Sequence, residues 1–400
     1  MVRSSSGKPW LSIIGLGEDG LEGLSDASRS ALARAEIIFG GPRHLELVNA
    51  GDRGQPWQVP FSIDPVLAAR GKQVAVLASG DPFWHGAGGS LSRHLEEGEW
   101  RSYPGLSTFA LAANRLGWKL EEVLCTGLHA AFWGQLLPLL APGQRIICTV
   151  RDAAAPAELA EWLSAQGFGA STLTVLECLG GPRERVRETT AEAFDLTDID
   201  TLVTVAIAAE GDKGLPQASG LPDGVFHNDG QITKRPIRAL TLSALAPRPG
   251  ELLWDIGGGS GSISVEWCLA ARGARAITFE PREDRLSNIR ANAEKFGLTH
   301  RMKPVIGNAP EVLDGFELPD VVFVGGGGSH ALLDQLWQIL PKGVRIVANG
   351  VTLETETLLM DAQKRHGGHL LKAEIAEVSP LGTMRGWDRA RPVIQWSVTR

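Results

Sequence analysis

The residues best suited to chemistry form a glycine-rich segment at the end of the strand-like run 251–256 and just beyond it. Its members are Asp255, Gly257, Gly258, Gly259, Ser260 and Gly261. A glycine-rich turn between a strand and a helix exposes backbone N–H groups and lets a nucleotide-like ligand approach the backbone closely. The sequence therefore predicts a ligand pocket at this turn, and the alternative is a tight turn that binds nothing.

Two classes of ligand compete for this pocket. The dinucleotide fingerprint GxGxxG would place its third glycine at position 262, which is Ser262. The observed GxGxG spacing, preceded by an acid, favours S-adenosylmethionine (SAM), with Asp255 helping to hold its amino group. Glu280 ends the next apolar run, where a carboxylate can accept hydrogen bonds from both ribose hydroxyls. Both ligand classes use such an acid, so an NAD(P)-dependent oxidoreductase remains the rival interpretation.

Further polar residues follow the same alternation of apolar runs and turns. Asn308, next to Ala309, offers a carbonyl acceptor for an adenine amino group, or belongs to a plain turn. The glycine run 325–328 makes room for a methyl acceptor or serves only as a flexible turn. Thr233 precedes a predicted helix, which it either caps or leaves free while it contacts the cosubstrate.

The first half of the chain carries three weaker motifs at the ends of apolar runs. Their residues are Gly15, Gly17, Ser79, Gly80, Asp81, Ser107 and Thr108. Taken singly, they indicate a β–α turn, an Asp N-cap before a proline, and a helix start. Their order and spacing together favour a second ligand site.

Strand-like runs alternate with helix-like stretches throughout, which predicts an α/β protein with largely parallel sheets. The segment 211–236 is dense in glycine and proline, which is typical of a linker or a long loop. We therefore predict two domains, 1–215 and 216–400, the first split into two lobes near residue 118. The last two runs, 370–378 and 393–398, should form an antiparallel edge.

Composition excludes several classes of protein. The 400 residues carry a net charge of -7, so a nucleic-acid partner is not expected. No apolar run approaches the roughly 18 residues that span a membrane, and the start of the sequence shows no apolar targeting segment, so we expect a cytoplasmic protein. The four cysteines are dispersed and the HxxH at 366–369 stands alone, so we expect no bound metal. The cluster Arg385, Arg389 and Arg391 predicts a solvated surface or forks for carboxylates.

The chain resembles a fused family of cobalamin-biosynthesis enzymes over nearly its full length. In the first half, 13–20 (IIGLGEDG), 78–83 (ASGDPF) and 103–108 (YPGLST) are similar to motifs of the tetrapyrrole (corrin/porphyrin) methylases. In the second half, 227–234 (HNDGQITK) and 247–254 (PRPGELLW) resemble the precorrin C15-methyltransferase/decarboxylase part. The chain departs from that family at Asn308, where Asp is common, and at Gly258, where a small non-glycine residue is common.

The resemblance implies an N-terminal two-lobed tetrapyrrole methylase fold and a C-terminal Rossmann-like class I SAM methyltransferase fold. It also implies SAM-dependent methylation of precorrin-6Y at C5 by the first domain. The second domain would methylate C15 and remove the ring-C acetate as carbon dioxide, giving precorrin-8X. Alternatives are a single-activity methyltransferase with a non-catalytic first half and a non-enzymatic tetrapyrrole carrier. We expect a homo-oligomer.

Overall fold

A computed structural model describes residues 9–84, 86–129 and 132–400. The chain divides into two compact units, which we call unit 1 (Met1–Ala131 and Ala141–Lys213) and unit 2 (Phe132–Leu140 and Gly214–Arg400). The later division lies within the segment rich in glycine and proline. The units differ from the two continuous domains predicted from the sequence, because the short segment Phe132–Leu140 of the first half belongs to unit 2. No helix of the described residues is both long and apolar enough to cross a membrane.

Unit 1 contains two five-stranded sheets. The elements of the first are β1 (Leu11–Leu16), α1 (Asp26–Arg34), β2 (Ile37–Gly40), α2 (Pro42–Leu47), β3 (Gly54–Pro56), α3 (Asp64–Ala68), β4 (Val74–Ser79), α4 (Gly88–Ser92) and β5 (Trp100–Tyr103). Its strand order is β3-β2-β4-β1-β5, and all neighbours run parallel. The carboxyl ends of β1 and β4 therefore lie side by side, which brings two of the predicted motifs together.

The second sheet of unit 1 corrects the prediction of largely parallel sheets. Its elements are α5 (Thr108–Leu116), β6 (Val123–Gly127), β7 (Arg145–Thr149), α6 (Ala155–Ala165), β8 (Thr172–Glu177), β9 (Arg185–Thr190) and β10 (Val203–Ala208). Only β6 and β7 run parallel in the order β6-β7-β10-β8-β9, and the other neighbours are antiparallel. The connection from β8 to β9 is too short for the crossover of a dozen or more residues that parallel pairing requires.

Unit 2 is built on a seven-stranded sheet. Its elements are α7 (Arg235–Leu245), β11 (Leu252–Ile256), α8 (Ser262–Ala270), β12 (Arg275–Glu280), α9 (Glu283–Lys295), β13 (Met302–Ile306), β14 (Val321–Val324), α10 (His330–Ile339), β15 (Arg345–Gly350), α11 (Leu353–His366), β16 (His369–Ala373), β17 (Ala376–Leu381), β18 (Met384–Arg389) and β19 (Val393–Thr399). The strand order is β13-β12-β11-β14-β15-β19-β16, and the first five strands are parallel. The predicted alternation of strands and helices in this half is confirmed.

The sheet of unit 2 buries a large apolar core. Leu252, Trp254 and Ile256 alternate along β11 and pack with α10 and α11 on one face. Since strand side chains alternate between faces, the intervening Asp255 belongs to the opposite face. Its side chain is almost fully buried there.

The C-terminal strands confirm one prediction and correct another. The antiparallel edge is present, because β16 pairs with β19 at the end of the sheet. The prediction of a single strand over 370–378 is wrong, because β16 ends at Ala373 and β17 pairs with β18 in a separate hairpin. A two-residue loop, Gly382-Thr383, joins these strands, and Gly382 has φ of 61°. A glycine that opens a two-residue loop is a hairpin signal that our prediction missed.

The segment Phe132–Leu140 packs closely within unit 2. It contains a 3-10 helix at Trp133–Leu139, and Leu136 is fully buried. A Cβ atom at Gly134 would lie 2.6 Å from the Lys295 carbonyl oxygen at the end of α9. Only a residue without a side chain fits this approach of two backbones.

We predict that Gly134→Ala destabilises unit 2 by about 1–3 kcal/mol, the usual cost of overpacking. The control is Gly224→Ala in the same unit, because a Cβ atom there meets nothing within 4 Å. Calorimetric melting of the full chain should show one transition lowered by several degrees in the first variant and unchanged in the second. Equal melting curves for the two variants would contradict the close packing of this segment.

Candidate active site

A cavity of about 1470 Å³ lies at the carboxyl ends of the parallel strands of unit 2. Eight of the residues predicted for the second-half pocket line it: Thr233, Gly257, Gly258, Gly259, Ser260, Glu280, Asn308 and Ala309. Ligands of open α/β sheets bind where the strand order reverses, which here is between β11 and β14. The predicted residues therefore share one cavity at the expected position in the sheet.

Glycines let the loop after β11 approach the loop after β14. Gly257 has φ of 72°, and a Cβ atom there would lie 2.7 Å from the backbone nitrogen of Gly326. Gly258 is closed in a different way, because a side chain there would collide with the Thr278 methyl group on β12. Glycine at 258 therefore fits against β12 without displacing the Thr278 side chain.

Glu280 ends β12 and supports the glycine loop from the cavity wall. One carboxylate oxygen accepts a hydrogen bond from the backbone N–H of Gly259 at 2.8 Å, and the other accepts from that of Arg282 at 3.2 Å. The side chain is almost fully buried. Each carboxylate oxygen has a further lone pair, so the group can hold the loop and still accept from a ligand hydroxyl.

The structure corrects the expected place of Asp255. Its side chain lies on the face of β11 covered by α8, and it does not line the cavity. Oδ2 accepts a hydrogen bond from Ser264 Oγ at 2.6 Å, while Oδ1 is buried without a partner among the described residues. Burial, followed by the charge of Glu280, raises the pKa of Asp255 to about 6 against the opposing Ser264 hydrogen bonds. Gly261 also lies outside the cavity wall, because it is the N-cap of α8 and packs on Ile289.

A buried asparagine holds the glycine loop from behind. Asn292 on α9 donates hydrogen bonds to the carbonyl oxygens of Ser260 at 2.8 Å and His227 at 2.9 Å. Its side-chain oxygen accepts from the His227 backbone N–H at 2.8 Å. The segment before α7 is thereby fixed to the glycine loop. The Ser260 hydroxyl is buried in the cavity wall and has no partner among the described residues, so it is available to a ligand.

The same segment, 219–233, is held by a buried ion pair. Arg238 on α7 and Glu266 on α8 contact each other at 2.5 Å, and both are almost fully buried. Glu266 accepts from the backbone N–H groups of Gly220 and Leu221, and Arg238 donates to the Leu221 and Thr233 carbonyl oxygens. The long-loop alternative for this segment is therefore the observed one. Thr233 does not cap the helix, because Lys234 occupies the N-cap without a side-chain bond.

Several residues of this cavity were not among the predicted site residues. They are Lys234, Arg235, Asn349, Arg389 and Arg391, together with the acids Glu377 and Asp388. The structure divides the arginine cluster, because Arg389 and Arg391 line the cavity and Arg385 does not. The sequence could not make that division, since it depends on the hairpin of β17 and β18.

A second cavity, of about 610 Å³, lies within unit 1. The predicted residues that line it are Gly17, Ser79, Gly80, Asp81, Ser107 and Thr108. Ser107 caps α5, since its side chain accepts from the Ala110 N–H at 3.1 Å, so the predicted helix start is confirmed. The predicted helix at Asp81 is wrong, because Asp81 Oδ1 accepts from the Phe83 N–H at 2.8 Å in a turn outside any helix.

Gly15 has a structural role and does not line this cavity. A Cβ atom there would lie 2.4 Å or less from the backbone of Gly105 and Gly80, so glycine permits the β1, β4 and β5 ends to meet. The motifs of the first half therefore converge on one cavity, although Gly15 itself does not line it.

A polar cluster that the sequence did not reveal borders the unit 1 cavity. His44 Nε2 lies 3.0 Å from Ser79 Oγ and 3.1 Å from the guanidinium of Arg43, which also pairs with Glu18. Burial first, and then the charge of Arg43, lower the pKa of His44 to about 4. His44 is therefore neutral at physiological pH and can exchange a hydrogen bond with Ser79.

Comparisons with known proteins match the two halves of the chain to two different families. A family model for tetrapyrrole (corrin/porphyrin) methylases matches residues 11–195, and one for a precorrin methyltransferase domain matches residues 224–400. A protein from Sinorhizobium sp, precorrin-6Y C(5,15)-methyltransferase [decarboxylating], is 46% identical over 98% of this chain and 97% of its own. The chain belongs to the precorrin-6Y C(5,15)-methyltransferase family. The predicted fold class, a tetrapyrrole methylase fold followed by a methyltransferase fold of the precorrin type, is confirmed.

Other members of the precorrin-6Y C(5,15)-methyltransferase family extend the comparison. One from Mycobacterium tuberculosis (strain CDC 1551 / Oshkosh) is 40% identical over 97% of this chain and 99% of its own. A crystal structure of the C-terminal domain of the Rhodobacter capsulatus precorrin-6Y C5,15-methyltransferase is 61% identical, with a TM-score of 0.46. It covers 46% of this chain and 100% of that one.

The buried Asp255 predicts a pH dependence of stability. The folded carboxyl keeps its proton up to about pH 6, whereas the unfolded carboxyl loses it near 3.8. Stability from this group is complete below pH 3.8, falls as the pH rises to 6, and is constant above that. The difference is worth about 2–3 kcal/mol at 1.36 kcal/mol per pKa unit.

We predict that Asp255→Asn removes this loss, so that the variant gains stability over the wild type between pH 4 and pH 6.5. The measurement is calorimetric melting of both proteins across that range. Asp361→Asn, at an exposed position on α11, is the control. Its melting temperature should differ from that of the wild type by the same amount at every pH. A stability difference between Asp255→Asn and wild type that does not change with pH would contradict the burial argument.

Proposed function

We propose that this chain methylates precorrin-6Y at C5 and C15 with SAM as the methyl donor, and decarboxylates the ring-C acetate to give precorrin-8X. Unit 1 would carry the C5 transfer, and unit 2 would carry the C15 transfer and the decarboxylation. Membership of the precorrin-6Y C(5,15)-methyltransferase family supports the reaction. The observation that carries the proposal is the convergence of the glycine loop, Glu280 and Asn308 on one cavity.

The residues around the unit 2 cavity fit SAM. The loop at Gly259 leaves open space, since a Cβ atom there would meet only the Gln231 carbonyl oxygen at 3.6 Å. Glu280 has lone pairs left for ribose hydroxyls, and the unpartnered Ser260 hydroxyl offers a hydrogen bond within the same wall. Asn308, just after β13, supplies an amide in the same wall that could accept a hydrogen bond from the adenine amino group.

The chemistry of methyl transfer explains what these residues need to do. SAM supplies an electrophilic methyl group, and a meso carbon conjugated to pyrrole nitrogens supplies the electron pair. Such a reaction depends on in-line positioning of the two reactants, which can contribute several kcal/mol to catalysis. The chain's own residues therefore bind, orient and exclude water. Decarboxylation can use the conjugated ring of the substrate as its electron sink.

Unit 1 supports a second transfer site. Its cavity has a separate glycine turn at Gly17, and Ser79 and Ser107 place hydroxyl groups in the wall. His44 beside Ser79 is neutral and can orient that hydroxyl, and the neighbouring Arg43 guanidinium is paired with Glu18. Two cavities with different linings favour two positions of methylation over one.

Two rival functions make different predictions. A single-activity methyltransferase with a non-catalytic first half would bind one SAM per chain. An NAD-dependent oxidoreductase would bind NAD at the glycine loop, although the position of its third fingerprint glycine is taken by Ser262, buried at the start of α8. A cytoplasmic location and self-association stay predictions from the sequence and its resemblance.

We predict that the full chain binds two SAM molecules and that Glu280→Ala weakens one of them by about tenfold or more. Charge-assisted hydrogen bonds are worth about 1.5–3 kcal/mol each, and 1.4 kcal/mol is a factor of ten. Glu280→Gln keeps one acceptor and should have an intermediate effect. Isothermal titration calorimetry with SAM, and in parallel with NAD, measures all three proteins.

Glu283→Ala is the control for this titration, because its carboxylate is exposed and pairs with Arg290 on the surface of α9. SAM affinity of both sites should be unchanged in that variant. Binding of NAD at the site weakened by Glu280→Ala would favour the oxidoreductase. A single SAM per wild-type chain would favour the single-activity enzyme.

A further inference from the structure

The unit 2 cavity has two halves, defined by the strands that contribute to each. The ends of β11, β12 and β13 carry the glycine loop, Glu280 and Asn308, which the proposed function assigns to SAM. The ends of β14 and β15 and the start of β19 form the other half, which includes Asn349 and Arg391. Because β14 and β15 lie on the opposite side of β11 from β12 and β13, a methyl acceptor in this half would contact different residues from those proposed for SAM.

A buried hydrogen-bond network holds Asn349 in this second half. The Thr241 hydroxyl on α7 donates its only hydrogen to the Ile237 carbonyl oxygen at 2.8 Å. It must then accept from its other neighbours, which are Asn349 Nδ2 at 2.8 Å and Gln395 Nε2 at 3.3 Å. Gln395 Nε2 also donates to Asn349 Oδ1 at 3.0 Å. Thr241 and Gln395 are buried, so the network is shielded from water.

This network fixes which end of the Asn349 amide is the donor. Since Thr241 can only accept, the Asn349 nitrogen must face it and the oxygen must face Gln395. One N–H of Asn349 and one lone pair of its oxygen remain unused by these contacts. Asn349 lines the cavity, so the chain keeps an oriented amide at the end of β15, where an acceptor molecule would lie.

Cationic side chains line the same half. Arg391 lies two residues before β19, and within that strand Gln395 is paired in register with Asn349. Arg389 and Arg391 line the cavity, and neither forms an ion pair with any residue that the structure describes. Glu377 and Asp388 line this half as well, so its net charge does not select an acceptor. Selection must come from directional donors, and the guanidinium and the amide are both donors.

We propose that Asn349 and Arg391 bind a carboxylate side chain of the methyl acceptor and fix its orientation, with Thr241 and Gln395 as positioning residues. The acceptor class is a polycarboxylate tetrapyrrole, so this inference rests on the proposed function. A guanidinium and an amide N–H on adjacent segments can donate to the two oxygens of one carboxylate. The network holds the amide in that direction before the acceptor arrives.

The test compares substitutions in the full chain. Asn349→Asp keeps the shape of the side chain and replaces its N–H donor with an anion, and Arg391→Gln removes the guanidinium. Arg385→Gln is the matched control, because Arg385 lies on β18, shortly before Arg391 in the chain, and outside the cavity wall. For each protein, carbon dioxide release gives kcat and KM for precorrin-6Y, calorimetry gives the SAM affinity, and melting gives the stability.

We expect Asn349→Asp and Arg391→Gln to raise KM for precorrin-6Y by about tenfold or more, with SAM affinity within twofold of wild type. Gln395→Met should raise KM by less, which a purely structural role would not do at temperatures below melting. Arg385→Gln should leave KM unchanged. An unchanged KM in Asn349→Asp, or a loss of SAM affinity without a change in KM, would overturn the inference.

Failure of the proposed function gives a different result. Wild-type protein that releases no carbon dioxide from precorrin-6Y would contradict the function itself. In that case uroporphyrin, which carries eight carboxylates, serves as the binding probe in a fluorescence titration. Weaker uroporphyrin binding in Asn349→Asp and Arg391→Gln but not in Arg385→Gln still supports carboxylate binding by Asn349 and Arg391. Equal binding in all of these proteins contradicts it.

Discussion

The close approach of two backbones at Gly257 and Gly326 is the constraint on which the unit 2 site depends. A side chain at 257 would begin 2.7 Å from the neighbouring backbone nitrogen, so the loops after β11 and β14 meet only because residue 257 is glycine. These loops lie on either side of the point where the strand order reverses. Their contact joins the half that we propose for SAM and the half that we propose for the methyl acceptor into one cavity, as a methyl transfer between two bound molecules requires.

Buried polar groups keep that contact in register. Asn292 fixes the glycine loop to the segment before α7, and the Arg238–Glu266 pair fixes the same segment to two helices. Breaking a buried ion pair by removing one partner costs about 3–5 kcal/mol, because the other charge stays buried. Pairs of this kind add little net stability, but they define one geometry for the backbone that lines the cavity. Hydrogen bonds from neighbouring residues therefore hold the glycine loop in one conformation, although glycine itself allows many.

The sequence predicted those parts of the site that depend on consecutive residues at strand ends. The glycine loop, Glu280 and Asn308 could be located because parallel strands bring their carboxyl ends to one edge. Asp255 was placed wrongly, because it was judged by its distance from the loop and not by the face of β11 to which it belongs. Asn349 could not be found, because its contacts depend on β19 pairing antiparallel with β15, and the sequence could not tell that Arg391 lines the cavity whereas Arg385 does not.

We propose one methyl transfer in each unit, and the mass of the tetrapyrrole product tests this claim most directly. Wild-type protein with excess SAM should yield a product about 16 Da lighter than precorrin-6Y, from two net methyl additions and one loss of carbon dioxide. Gly259→Arg fills the open space beside the glycine loop of unit 2, at a φ of 58° that disfavours any side chain. That variant should yield a product about 14 Da heavier than precorrin-6Y, with one methyl added and no carbon dioxide lost. Loss of carbon dioxide by Gly259→Arg, or absence of any methylation, would contradict the assignment of one transfer to each unit.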